Sequence, residues 1–206
     1  IMKKVSLLLT LFSVFAFSQR YTKQEISRIN EGNVNSALPI FQTSDSLQHH
    51  VLLTQSSDAN PKDQHTKILV NRMKLALIST FGGVGIAAPQ VGINRNIIWA
   101  KRFDKENTPL EYFINPKIIW RSEVLHLGPE GDLSIEVFRD DFYRSHVIQL
   151  EYFDLNGKKF VEIVEGFTAV ILQHEIDHLS GILISDKIKN QKLKTFEKVD
   201  AYKELK

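Results

Sequence analysis

The sequence predicts one domain that mixes helices with strands paired through hairpins, and three observations lead there. Asn156-Gly157 lies between two apolar-rich runs, 146–153 and 158–163, and Asn-Gly supplies the positive φ angles of a tight hairpin turn. Within 66–80, Leu69, Val70, Met73, Ala76 and Leu77 recur at helical spacing. Residues 167–179 read as a second helix, which Ser180-Gly181 stops.

Taken in order, the chain opens with Lys3 and Lys4, a largely apolar run over 5–17, and Ala16-Phe17-Ser18 ahead of Gln19. That is the charged, apolar and small-residue pattern of an export signal. The run falls short of the roughly 20 apolar residues that a membrane-spanning helix needs. The expectation is an exported protein, periplasmic or extracellular, with 1–18 removed as a signal peptide and no stable membrane insertion afterwards. Residues 19–65 are polar and weakly periodic, with turn clusters at 43–46, 56–58 and 60–61, and predict short strands and loops. His49, His50 and His65 sit in that polar context and read as solvated.

Gly82-Gly83 ends the helix over 66–80. In 83–93, small and apolar residues alternate up to Pro89, which describes a loop or strand edge whose backbone can approach a ligand closely. It is not a phosphate cradle, since it has no Walker lysine and no helix start follows the glycines. Short strands are expected at 96–100 and 111–114; Asn115-Pro116 closes the latter and 117–120 opens another. At 128–134, two glycines and a proline among Glu130 and Asp132 read as an irregular turn. Beyond the 167–179 helix, 182–184 reads as a last strand. Leu193, Phe196, Val199 and Tyr202 recur at helical spacing within 186–206, which reads as a terminal helix over the core.

Composition limits the chemistry. At 206 residues, with 43% hydrophobic and 24% charged content, the chain is of ordinary globular composition and large enough for one filled core. A net charge of +2 does not point to nucleic acid or anionic lipid as a partner. Oligomeric state is not written in these features. There is no cysteine, so disulfides and thiolate ligands are excluded and any metal must be held by nitrogen and oxygen.

The residues able to do so centre on Gln173-His174-Glu175-Ile176-Asp177-His178-Leu179. On a helix, i and i+4 share a face, so His174 and His178 can present two imidazoles to one ion. Glu175 then stands beside the ion, free to take a proton from the attacking water.

Gly-x-Gly-x-Ala-Ala-Pro-Gln at 83–90, Glu-Gly-x-Leu-Ser at 130–134 and Gln-His-Glu-x-Asp-His-Leu at 173–179 together resemble, in order, the three signature motifs of the peptide deformylases. Asn115-Pro116, Arg144, Asp154 with Gly157, and Gly166-Phe167 extend the similarity over about 70–190. The resemblance implies an α+β fold, with the HExxH helix packed among antiparallel β-sheets and a C-terminal helix, and a single catalytic domain over 19–206. It implies hydrolysis of the N-formyl group of formyl-methionyl peptides, or a related N-acylated peptide, at one divalent ion, Fe2+ or Zn2+. It makes His174 and His178 ligands, Glu175 the general base, and Gln90 and the backbone N–H of Leu133 the oxyanion donors. Gly83, Val84 and Gly85 would pair with the peptide backbone. Glu130 is grouped with them at the substrate site and fits a buried orienting carboxylate, and Asp177 would pair with Arg144.

One residue departs from the family pattern. Asp132 stands where the family has its metal-binding cysteine, and a carboxylate can complete a site with two histidines. Aspartate also escapes the oxidation that threatens a thiolate outside the cytosol. Two other readings of HExxH remain at this stage. A zincin-like peptidase usually draws its third ligand from downstream of the motif, whereas Asp132 lies upstream. A non-catalytic formyl-peptide or metal-binding homologue would leave Glu175 and Gln90 without a task.

Overall fold

A computed structural model describes residues 20–192. The expected export signal at 1–18 and the apolar positions from Leu193 onward lie outside the described residues. Two short helices, α1 (Lys23–Ile29) and α2 (Ser46–Leu52), occupy the segment expected to hold strands and loops. Their ends explain the correction. Thr22 and Glu25 form a reciprocal capping box, and Asp45 accepts from the N–H groups of Leu47 and Gln48. Such caps stabilise helices too short to show clear apolar periodicity.

Helix α3 (Gln64–Ile78), capped by Asp63, begins and ends two residues earlier than its pattern predicts. The chain then enters β1 (Gly85–Ala87), a 3-10 turn (Ala88–Val91), and β2 (Ile97–Lys101). Strand β3 runs unbroken over Leu110–Arg121, so the two strands expected on either side of Asn115-Pro116 are one. Its register shifts between Ile114 and Lys117 and again between Ile118 and Trp120, with Asn115 at φ 51°. Proline cannot donate to a ladder and is tolerated at such a bulge. The Asn115 side chain holds the irregular site by exchanging bonds with the backbone of Ala59, at 2.8 and 3.0 Å.

Strand β4 (Leu125–Asp132) contains most of the stretch read as an irregular turn, and pairs with β5 (Ile135–Ser145) in a separate hairpin. Strands β6 (Val147–Phe153) and β7 (Lys159–Glu165) form the expected Asn-Gly hairpin. Helix α4 (Gly166–Leu179) carries the histidines. Residues 182–184, expected as a strand, instead lead into α5 (Ile184–Gln191). Leu183 and Ile184 are buried, and Ile184 joins Ile188 and Phe142 in a small apolar cluster, so their apolar character serves helix docking on β5.

The larger sheet is antiparallel throughout, in the order β1-β2-β3-β6-β7. Side chains alternate across it. Ile86, Ile97, Trp99 and Ile114 face one way, against Leu69, Met73 and Leu77 of α3. Ala87, Ile98, Ala100 and Phe113 face the other way, against Ala169, Ile171 and Leu172 of α4. This sandwich buries α4 between the sheet and the β4–β5 hairpin, which is the packing the resemblance implies.

Candidate active site

Helix α4 turns one side to the sheet and presents His174 and His178 to the β4–β5 hairpin, whose last β4 residue is Asp132. A backbone bond from Ser145 N–H to Gln173 Oε1, returned from Gln173 Nε2 to Ser145 O at 2.8 Å, fastens helix to hairpin. One ligand atom from each of Asp132, His174 and His178 falls within 4.8 Å of the others. His178 Nε2 lies 3.5 Å from Asp132 Oδ2, and neither atom has a hydrogen-bond partner among the described residues although both are buried. Buried orphans are costly unless something satisfies them. An oxygen and imidazole nitrogens converging in this way suit a divalent ion.

The surroundings prepare these donors. His174 Nδ1 donates to Glu130 Oε2 at 2.9 Å, which leaves Nε2 with its lone pair for a ligand. Glu130 in turn accepts from Arg144 Nε and Nη2, at 2.6 and 2.7 Å. Burial works to raise the Glu130 pKa, but Arg144 and His174 outweigh it and hold it down to about 2. Both Glu130 oxygens are thus committed to protein, which makes the residue an orienting carboxylate although it borders the cleft. Arg144 also meets Asp177, which meets Lys187 of α5, so one chain of polar contacts runs from His174 to α5.

The two histidines differ. Burial opposes charge on His174, yet its bond to Glu130 and the nearby Glu175 and Asp132 raise its pKa. Burial dominates at His178 and pushes its pKa down to about 4, so its ring is neutral at pH 7 and competent as a ligand. Glu175 is buried with Oε2 unpartnered, and desolvation pushes its carboxyl up to about 8. A bound dication would oppose that shift, leaving a carboxylate able to accept and return a proton.

A cleft of about 460 Å³ opens over this group, bordered by Gly83, Val84, Gly85, Leu133, Glu130 and Asp132 among others. Among the described residues β1 is an edge strand paired on one side only, so its remaining side can receive an extended peptide. Gly85 is needed there, because a Cβ at this position would lie 2.8 Å from Glu175 Cδ. Gln90 is nearly fully buried; its Oε1 accepts from Ala87 N–H at 2.9 Å, and its Nε2 donates to Asp132 Oδ1 at 3.1 Å and to Ser134 Oγ at 3.2 Å. Among the other walls, Phe81, Ile135, Val137, Phe138 and Val170 were not singled out in the sequence. Their only signal is apolar side chains close to motif residues in the chain. His49, His50 and His65 are not buried and stand apart from the site.

Residues 39–194 match the family model described as Polypeptide deformylase. The chain belongs to the peptide deformylase family. A peptide deformylase of Prochlorococcus marinus (strain NATL2A) is 33% identical over 181 residues, covering 87% of each chain. The crystal structure of peptide deformylase from Thermotoga maritima superposes with a TM-score of 0.65 at 30% identity, covering 73% of this chain and 96% of that one. The class I type b enzyme of Acinetobacter baumannii bound to Met-Ala-Ser gives a TM-score of 0.64 at 28% identity, covering 73% and 98%. This peptide deformylase chain is therefore of a hydrolase family, with a candidate metal site in which Asp132 joins the two helix histidines.

Proposed function

We propose that this member of the peptide deformylase family removes the N-formyl group from formyl-methionyl peptides, or a closely related N-acyl group, using one divalent ion held by Asp132, His174 and His178. The observation that carries this reading is the convergence of those three ligand atoms within 4.8 Å beside the unpartnered carboxylate of Glu175. When bound, Fe2+ or Zn2+ supplies Lewis-acid polarisation and acidifies water.

The protein's own groups do the rest. The peptide lies along Gly83, Val84 and Gly85, where the chain enters the edge strand β1, with its formyl end directed at α4. Glu175 takes one proton of the attacking water; the water oxygen bonds to the formyl carbon, the C–N bond breaks, and Glu175 passes that proton to the departing amine as formic acid leaves and ionises to formate. The backbone N–H of Leu133, at the tip of the β4–β5 hairpin and on the wall of the cleft, serves as a donor to the developing oxyanion. Gln90 joins it when its bond to Ser134 Oγ is surrendered. We further place the activity outside the cytosol, on the residues over 1–18 that read as an export signal.

A zincin-like peptidase is the weaker alternative, because Asp132 comes from a hairpin upstream of HExxH. The test is metal analysis of the purified protein followed by assay on formyl-Met, acetyl-Met and unblocked peptides. One ion per chain with formate release from the formyl peptide supports the reading. Metal-loaded protein that cleaves internal peptide bonds, or releases no formate, overturns it.

A further inference from the structure

We propose that Gln90 is a positioning residue for the third metal ligand, a duty created by aspartate at position 132; this rests on the reading of Asp132 as a ligand. A thiolate offers one donor atom. A carboxylate offers two, and it can swing either oxygen, or both, toward an ion. Here the choice is already made. Asp132 Oδ1 accepts from Ser134 N–H at 2.8 Å and from Gln90 Nε2 at 3.1 Å, while Oδ2 is left without a partner on the side of His178.

Gln90 can hold this position because it is itself held. It lies in the 3-10 turn Ala88–Val91, and its Oε1 accepts the Ala87 N–H at 2.9 Å. That bond fixes which end of the amide is oxygen, so the NH2 must point at Asp132 and Ser134. Both amide hydrogens are then engaged, one by Asp132 Oδ1 and one by Ser134 Oγ. A hydrogen bond to a charged acceptor is stronger than one between neutral groups. The bond to Asp132 therefore orients the ligand before the ion arrives, and a substrate oxygen that recruits Gln90 displaces the weaker Ser134 bond.

The test is zinc affinity, by competition with a chromophoric chelator, in wild type, Gln90→Leu, Asp132→Cys and the double variant, with Asp132→Ala as reference and circular dichroism to establish folding. Removing a group that orients a ligand typically costs about 10–100-fold in metal affinity. We expect Gln90→Leu to weaken zinc by about 10-fold or more beside Asp132 and by much less beside the thiolate of the double variant. Equal losses in both backgrounds, or none in either, overturn the proposal. Gln90→Met, similar in length but without the amide, replaces Gln90→Leu if that variant does not fold; failure of both assigns Gln90 to the fold and also overturns it. If Asp132→Ala keeps zinc at wild-type affinity, the ligand reading itself fails, which distinguishes the two outcomes.

Discussion

At the scale of single residues, the proposed function divides the site into groups that would hold an ion and one that would move a proton. Glu175 is buried, with Oε2 unpartnered among the described residues, but it is not among the three residues with converging ligand atoms. Glu175→Ala should therefore keep its zinc while turnover falls by about 10²-fold or more, since general acid–base groups contribute on that scale. Zinc analysis beside a formate assay checks it, and loss of zinc with activity would place Glu175 among the ligands. Gly85→Ala should lower kcat without releasing zinc, because the added methyl meets Glu175 and must displace it; loss of zinc in parallel would show damage beyond that carboxylate. The candidate ligand histidines and Glu175 are legible in the sequence because i, i+4 spacing reports directly on one helix face. The engagement of Gln90 with Asp132 is not, since its partners lie 42 residues apart in the chain and meet only through the fold.

At the scale of elements, the β4–β5 hairpin and α4 share one ionic chain through Glu130, Arg144, Asp177 and Lys187. Glu130→Gln should weaken zinc by about 10–100-fold, as His174 loses the charged acceptor that orients it; unchanged affinity in chelator competition would restrict Glu130 to a structural part. A second ionic group ties the residue after β2 to β3 and β7. Arg102, almost fully buried, bonds Asp104, Glu111 and Glu162 at 2.7–3.0 Å. Arg102→Met should cost on the order of 2 kcal/mol in urea unfolding. Burial raises the pKa of Asp104 and Glu162, but Arg102 outweighs it and lowers both below the ordinary 3.8 and 4.5. Their contribution is therefore present above those values and lost as pH falls through the lowered folded ones. The stability gap between wild type and variant should accordingly shrink in acid; a gap that is constant with pH would contradict this. Elements were legible where one periodicity ran long enough, as in α3, α4 and the Asn-Gly hairpin. The short helices α1 and α2 depend on caps, and β4 carries Gly128, Pro129 and Gly131, residues that read as a turn although their backbone is paired with β5.

At the scale of the whole molecule, a buried helix joins a sheet on one side to a hairpin on the other, and the candidate ligand set spans helix and hairpin. Zinc that binds only the folded arrangement stabilises it by mass action, by about 2.7 kcal/mol at a hundredfold excess over Kd. Thermal melts should rise with zinc in the wild type and barely respond in Asp132→Ala; an equal rise in both would mean that the ion binds elsewhere. The most direct measurement is anomalous diffraction at the zinc edge from zinc-loaded crystals. The account predicts one strong peak about 2.0–2.2 Å from Asp132 Oδ2, His174 Nε2 and His178 Nε2. A peak held by the two histidines with Asp132 turned away, or a peak outside the cleft, would contradict it.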